Sequence, residues 1–145
     1  MNISLVNAEK IRPLRNLVLR PNLPVETTYY DLDDHKETFH LASIIDKKII
    51  SIGSFYPEND KDIKSINGYR LRGMATHPDF RRISAATKLM IAAFKILEEK
   101  KCDVLWCNAR LVALEFYTVL GFKIIGPEFN IKDIGPHYKM YTIIN

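Results

Sequence analysis

The chain has 145 residues, of which 47% are hydrophobic and 26% charged, enough apolar material to bury a core and a ligand cleft without disulfides. Low-complexity runs, internal repeats and apolar stretches of membrane-spanning length are absent, which sets aside disordered, solenoid and helical membrane classes. The net charge of +4 suits an anionic cofactor as well as nucleic acid and so decides little.

Residues 8–19 place Ile11, Leu14, Val18 and Leu19 on one side of a helix, with Pro13 early enough to be tolerated. The segment Pro21-Asn-Leu-Pro24 ends that helix, and the acidic stretch Asp31-Leu-Asp-Asp-His35 reads as a solvated loop. Thr38 to Ile45 and Ile49 to Tyr56 are β-rich and joined as a hairpin by Asp46-Lys-Lys48, and Ile66 to Thr76 is a third strand. Gly73 interrupts that strand, as at a bulge or where something lies close to the backbone. Residues 83–100 carry the strongest helical pattern, with Ala86, Leu89, Met90, Ala93 and Leu97 as an apolar stripe. Asp103 to Ala109 reads as a buried strand and Leu111 to Leu120 as a helix stopped by Gly121. Phe122 to Ile125 and Tyr138 to Ile144 close the chain, separated by Gly126-Pro127 and Gly135-Pro136. This order predicts a mixed α/β sheet in a single domain over residues 1–145.

Cys102 and Cys107 flank or sit in one strand, poorly placed to bond to each other, and no Cys/His set has zinc-ligand spacing. Reduced cysteines and no metal are expected. The N-terminus breaks its apolar run too early for a secretory signal, so the expected location is cytoplasmic.

The most informative stretch is Gly73 to Met90: strand, a turn at Pro78-Asp79, Arg81-Arg82, then a helix opening on Ser84, Ala85 and Ala86. A helix start leaves backbone N–H groups unpaired and carries the positive dipole end, and small residues there let a phosphate approach. The plain alternative is an ordinary helix with its arginines in solvent.

This stretch, followed by a long helix, a strand and Ala113-Leu-Glu-Phe-Tyr-Thr-Val-Leu-Gly-Phe122, resembles the GCN5-related N-acetyltransferase (GNAT) family from about residue 38 onward. The fold that the resemblance implies is an α/β single domain, with a mixed, mostly antiparallel sheet flanked by helices. It implies acetyl transfer from acetyl-coenzyme A, as co-substrate, to an amine of a small molecule or protein. The family's pyrophosphate pattern, Arg/Gln-x-x-Gly-x-Gly/Ala, falls on Arg81, Arg82, Ile83, Ser84, Ala85 and Ala86. Ser84 stands where the first glycine is usual, and a serine side chain resists positive φ. Met74, Ala75 and Thr76 match the strand that pairs with the pantetheine arm, and Arg110 stands where many relatives have asparagine. The resemblance places Tyr117 beside the leaving thiolate, to protonate or stabilise it, although spacing alone fits a packing tyrosine.

The glutamate that many relatives use as base is missing between Ile66 and Thr76; His137 is an acceptor-side candidate against the plain reading of a structural histidine. His77 reads as scaffolding, and His35 and His40 carry no constellation. Arg70 and Arg72 share a strand face, as a cationic pocket for an acidic acceptor or simply in solvent. A non-catalytic acyl-coenzyme A sensor on the same fold is the alternative function. Nucleic-acid binding lacks stacking aromatics among its basic pairs, no membrane partner is expected, and a homodimer stays open.

Overall fold

Asn7 turns the first strand, β1 (Asn2–Val6), into the first helix, α1 (Ala8–Leu19), its side chain accepting the Lys10 N–H at 3.1 Å as an N-cap. Sequence patterning missed β1, whose five residues all pair with the next strand. The computed structural model describes residues 1–145. Five further elements follow: β2 (Phe39–Ile45), β3 (Lys48–Pro57), β4 (Tyr69–Thr76), α2 (Ala85–Glu99) and β5 (Val104–Arg110). A short α3 (Leu114–Val119), β6 (Lys123–Ile131) and β7 (Gly135–Ile143) complete the chain. The strands hydrogen-bond in the order β1-β2-β3-β4-β5-β7-β6. The β4–β5 pair is parallel, and β1–β2, β2–β3, β5–β7 and β6–β7 are antiparallel, so the sheet is mixed and mostly antiparallel.

Two compact units divide the chain, Met1–Tyr56 with Leu71–Ile96, and Pro57–Arg70 with Leu97–Asn145. In the first, β2 and β3 form the expected hairpin. Asp46 (φ 48°) and Lys47 (φ 67°) both turn left-handed, the twist that a two-residue hairpin needs. Ile11 and Leu14 of α1 pack on Ala42, Ile52 and Ala75.

Arg15 lies within the same helical stripe and is fully buried, so its charge has to be met internally. Its guanidinium donates to Asp33 (2.8 and 3.2 Å), Ser54 Oγ (3.0 Å), Tyr56 Oη (3.1 Å) and the Thr28 carbonyl. Tyr56 donates to Asp33; Ser54 Oγ also meets His40 Nδ1 at 2.7 Å, and His40 Nε2 donates to the Asp33 carbonyl at 3.0 Å. Two expectations are thereby corrected. The acidic stretch is not simply solvated, because Asp33 is 4% exposed, and His40 belongs to a constellation after all. An arginine at helical spacing among apolar residues required a buried partner from a distant segment, which local patterning does not reveal.

In the second unit, Trp106 and Val104 pack with Ile63, and the Trp106 indole donates to the Glu58 carbonyl at 2.8 Å. The Asp103 carboxylate accepts the N–H groups of Ile66 (2.7 Å) and Asn67 (3.1 Å). Those two residues, expected to open the third strand, therefore precede it. Gly121 (φ 99°) ends α3 as predicted. Gly126-Pro127 lies inside β6, not after it: Gly126 (φ 82°) accommodates a register shift between Ile125 and Phe129. Gly135-Pro136 likewise starts β7 and does not precede it.

Burial raises the Asp33 carboxyl, but hydrogen bonds from Arg15 and Tyr56 outweigh it and hold the group at about 2, below its ordinary 3.8. Because the folded value is the lower one, the stability it contributes is present above about pH 4 and lost as the pH falls toward 2. Acid titration of unfolding should show a loss of about 2 kcal/mol across that window, and Asp33→Asn should lack it. Asp33→Ala, which leaves a buried guanidinium without its acid, should cost about 3–5 kcal/mol in urea unfolding.

Candidate active site

Within the first unit, β4 carries the expected irregularity at Gly73, where φ is 66°. A Cβ there would meet Arg15 Nε at 3.3 Å and the Tyr30 ring at 3.6 Å, so the left-handed residue lies directly against the buried network. After Gly73, the Met74 side chain lies beside Gly53 and Leu89, while Ala75 enters the α1 core. Thr76 Oγ1 meets Ser51 Oγ at 3.0 Å. The ladder from β4 to β5 registers only Tyr69 and Arg70, so Met74, Ala75 and Thr76 are outside it.

The chain then makes one helical turn at Pro78–Phe80, capped by His77, whose Nδ1 accepts the Asp79 N–H at 3.1 Å. That is the scaffolding role expected of His77. Arg81, Arg82, Ile83 and Ser84 are exposed, and Ala85 is buried. Arg82 (φ 68°) and Ser84 (φ 64°) are both left-handed and flank Ile83. Left-handed residues of this kind recur in the backbone nests that turn N–H groups toward an anion. In α2 the ladder begins with the Lys88 N–H on the Ser84 carbonyl at 3.0 Å, leaving the N–H groups of Ala85, Ala86 and Thr87 without intrahelical acceptors. Ser84 thus takes positive φ despite its side chain. It adopts the glycine-like conformation, at a cost of roughly 1 kcal/mol for an L-residue.

Within the second unit, Tyr117 is 6% exposed, between Phe116 (5.1 Å between centroids) and Phe122 (5.2 Å). Burial, with the neighbouring Cys107 adding to it, pushes its phenol well above the ordinary value, so it is a proton donor at neutral pH. Cys107, itself raised by burial, and Leu105 point to one face of β5, while Trp106 and Asn108 point to the other. Thr142, paired with Leu105, lies 3.8 Å from a Cβ built on Gly121, so α3 and Tyr117 belong to the Leu105–Cys107 face.

His137 pairs with Arg110 and therefore lies on the Trp106–Asn108 face, opposite Tyr117. It is 4% exposed, stacks near Phe129 (5.9 Å), and its Nδ1 is 2.8 Å from the Gly135 carbonyl. A carbonyl only accepts, so Nδ1 carries a proton and donates it. The structure thus gathers Met74 to Thr76 with Arg81 to Ala86 in one unit, and Arg110 with His137 in the other. Tyr117 lies in the same unit as His137, but across the sheet. Arg70 is paired with Glu58 at 3.3 Å and stacked on Trp106, and Arg72 lies 4.1 Å over the Tyr30 ring, so neither is simply in solvent.

The family model described as "Acetyltransferase (GNAT) family" matches residues 8–122. The chain belongs to this acetyltransferase (GNAT) family. A relative, "Uncharacterized N-acetyltransferase YitI" of Bacillus subtilis (strain 168), is 35% identical over 144 residues, covering 99% of this chain and 97% of that protein. Among solved structures, an aminoglycoside 6'-N-acetyltransferase complexed with coenzyme A matches with TM-score 0.80 and 15% identity, over 100% of this chain and 98% of that one. A ribosomal-protein-alanine N-acetyltransferase from Brucella melitensis matches with TM-score 0.75 and 12% identity, covering 99% of both chains. At those identities the structures establish the fold of this GNAT member, and the family establishes acetyl transfer as its general chemistry.

If left-handed strain at position 84 is the only consequence of the serine, Ser84→Gly should raise stability by about 1 kcal/mol. Urea unfolding measures it, and coenzyme A affinity should not fall.

Proposed function

We propose that this GNAT member moves the acetyl group of acetyl-coenzyme A directly onto an amine, without a covalent enzyme intermediate. Residues 1–145 act as one acetyltransferase domain in this reading. The left-handed pair Arg82 and Ser84, set immediately before α2, carries it: a backbone nest and a helix start together suit the coenzyme's pyrophosphate. Arg81 and Arg82 supply guanidinium donors beside the nest, and Ile83, Ala85 and Ala86 present no bulky polar group to compete with the anion. Met74, Ala75 and Thr76, outside the β5 ladder, offer backbone amides to the pantetheine arm. Arg110, at the end of β5, is a further phosphate contact.

In the reaction, the amine lone pair attacks the thioester carbonyl carbon, a C–N bond forms, and the C–S bond breaks with its electron pair leaving on sulfur. Tyr117, held protonated by burial, donates its O–H as a hydrogen bond that stabilises that thiolate. The proton released by the amine goes to Nε2 of His137, the ring nitrogen that is not engaged with the Gly135 carbonyl. Tyr117 and His137 lie on opposite faces of the β5–β7 pair, which keeps the group beside the thiolate apart from the group that takes the amine's proton.

Release of coenzyme A thiol in the presence of a broad amine panel tests the proposal. Turnover should be found, and Tyr117→Phe should lower kcat by about 100-fold while leaving the Kd for acetyl-coenzyme A within about twofold. Tight acetyl-coenzyme A binding with no turnover on any amine would instead favour the sensor function.

A further inference from the structure

The Oδ1 atom of Asn108 is buried and has no hydrogen-bond partner. The other buried side-chain atoms in that condition are the Nε atoms of Arg12, Arg15 and Arg70, whose guanidiniums are already paired through Nη to Asp33 or Glu58. Asn108 is different. Its oxygen is an acceptor left unsatisfied, and a buried acceptor without a donor costs about 1–3 kcal/mol.

The side chain directly opposite in the β5–β7 register is Lys139, which would be the natural donor. Its ammonium is engaged elsewhere, 2.8 Å from Asp60 and 2.9 Å from Asp62. The diagonal neighbour on the same face is His137, paired with Arg110 two residues beyond Asn108. In antiparallel strands such diagonal residues are about 7–8 Å apart, close enough for both side chains to meet one small group. One face of β5 and β7 therefore holds a buried hydrogen-bond acceptor without a donor and, on the diagonal, an imidazole whose Nδ1 is committed to the Gly135 carbonyl.

We propose that Asn108 is the residue that fixes the acceptor nitrogen: its Oδ1 takes one N–H of a primary amine while Nε2 of His137 takes the other. The inference rests on the acetyl-transfer reading and specifies its acceptor side. A primary amine satisfies both groups and keeps its lone pair directed at the thioester. A secondary amine has one N–H, so binding it leaves either the base or the buried oxygen without a partner. Asn108 thereby selects primary over secondary amines.

The test uses n-butylamine and N-methylbutylamine with the full-length protein loaded with coenzyme A, binding of which is first established by calorimetry. The Asn108 side-chain amide resonance should move on adding n-butylamine and not on adding N-methylbutylamine. Where the pair is turned over in the presence of acetyl-coenzyme A, kcat/KM should favour the primary amine by about tenfold. Asn108→Leu should abolish that preference while leaving the coenzyme A Kd within twofold, and Asn108→Asp, which keeps an acceptor oxygen, should retain it. Coenzyme A binding with an unmoved Asn108 resonance overturns the inference and leaves the acetyl-transfer reading standing. Loss of coenzyme A affinity in Asn108→Leu overturns it by assigning the oxygen to the cofactor. Absence of coenzyme A binding by the natural protein removes both.

Discussion

A guanidinium at zero exposure dictates its surroundings, because it stays charged and cannot be left unpaired. Arg15 satisfies this by drawing together segments far apart in sequence: Thr28 and Asp33 from the chain after α1, and Ser54 and Tyr56 from β3. Its other side lies 3.9 Å from the Tyr30 ring and against the Gly73 backbone. The left-handed turn of β4 at Gly73 and the buried charge thus constrain each other. A side chain there would crowd Arg15 Nε at 3.3 Å, and φ 66° favours glycine. The strand residues read as the pantetheine platform begin one position later, so their placement depends on an ion pair that touches no part of the proposed cofactor.

Backbone conformation, not side-chain charge, distinguishes the loop before α2 from an ordinary basic turn. Arginines at a helix start are common and solvated. Two left-handed non-glycine residues separated by one position are strained, and strain of that kind persists only where the surrounding structure over-determines it. Ser84 takes a left-handed conformation that glycine adopts freely and adds only a small side chain at an exposed position. The departure from the motif is chemical and leaves the backbone conformation in place.

The regular elements were legible because their periods are strong: α1, the β2–β3 hairpin, α2 and the Gly121 stop all follow from apolar spacing and turn chemistry. The resemblance carried the motif residues and the fold with them. Local pattern failed where a tertiary partner decides. β1 is too short and too exposed to stand out from a loop. Asp33 looks like one of three solvated acids until Arg15 is seen beneath it, and Gly126-Pro127 looks like a strand end until the β7 register carries β6 through it. Asn108 offered no signal, since an asparagine in a strand declares itself only when every neighbouring donor is found to be engaged.

We propose that the Arg81 to Ala86 loop binds the pyrophosphate of acetyl-coenzyme A through its backbone. Isothermal titration of the natural protein with acetyl-coenzyme A, repeated with Arg82→Gly to remove one guanidinium while keeping the left-handed backbone, tests it most directly. The account predicts roughly micromolar binding by the natural protein, weakened by no more than about tenfold in the variant. Binding absent in the natural protein, or abolished when that single side chain is removed, would contradict it.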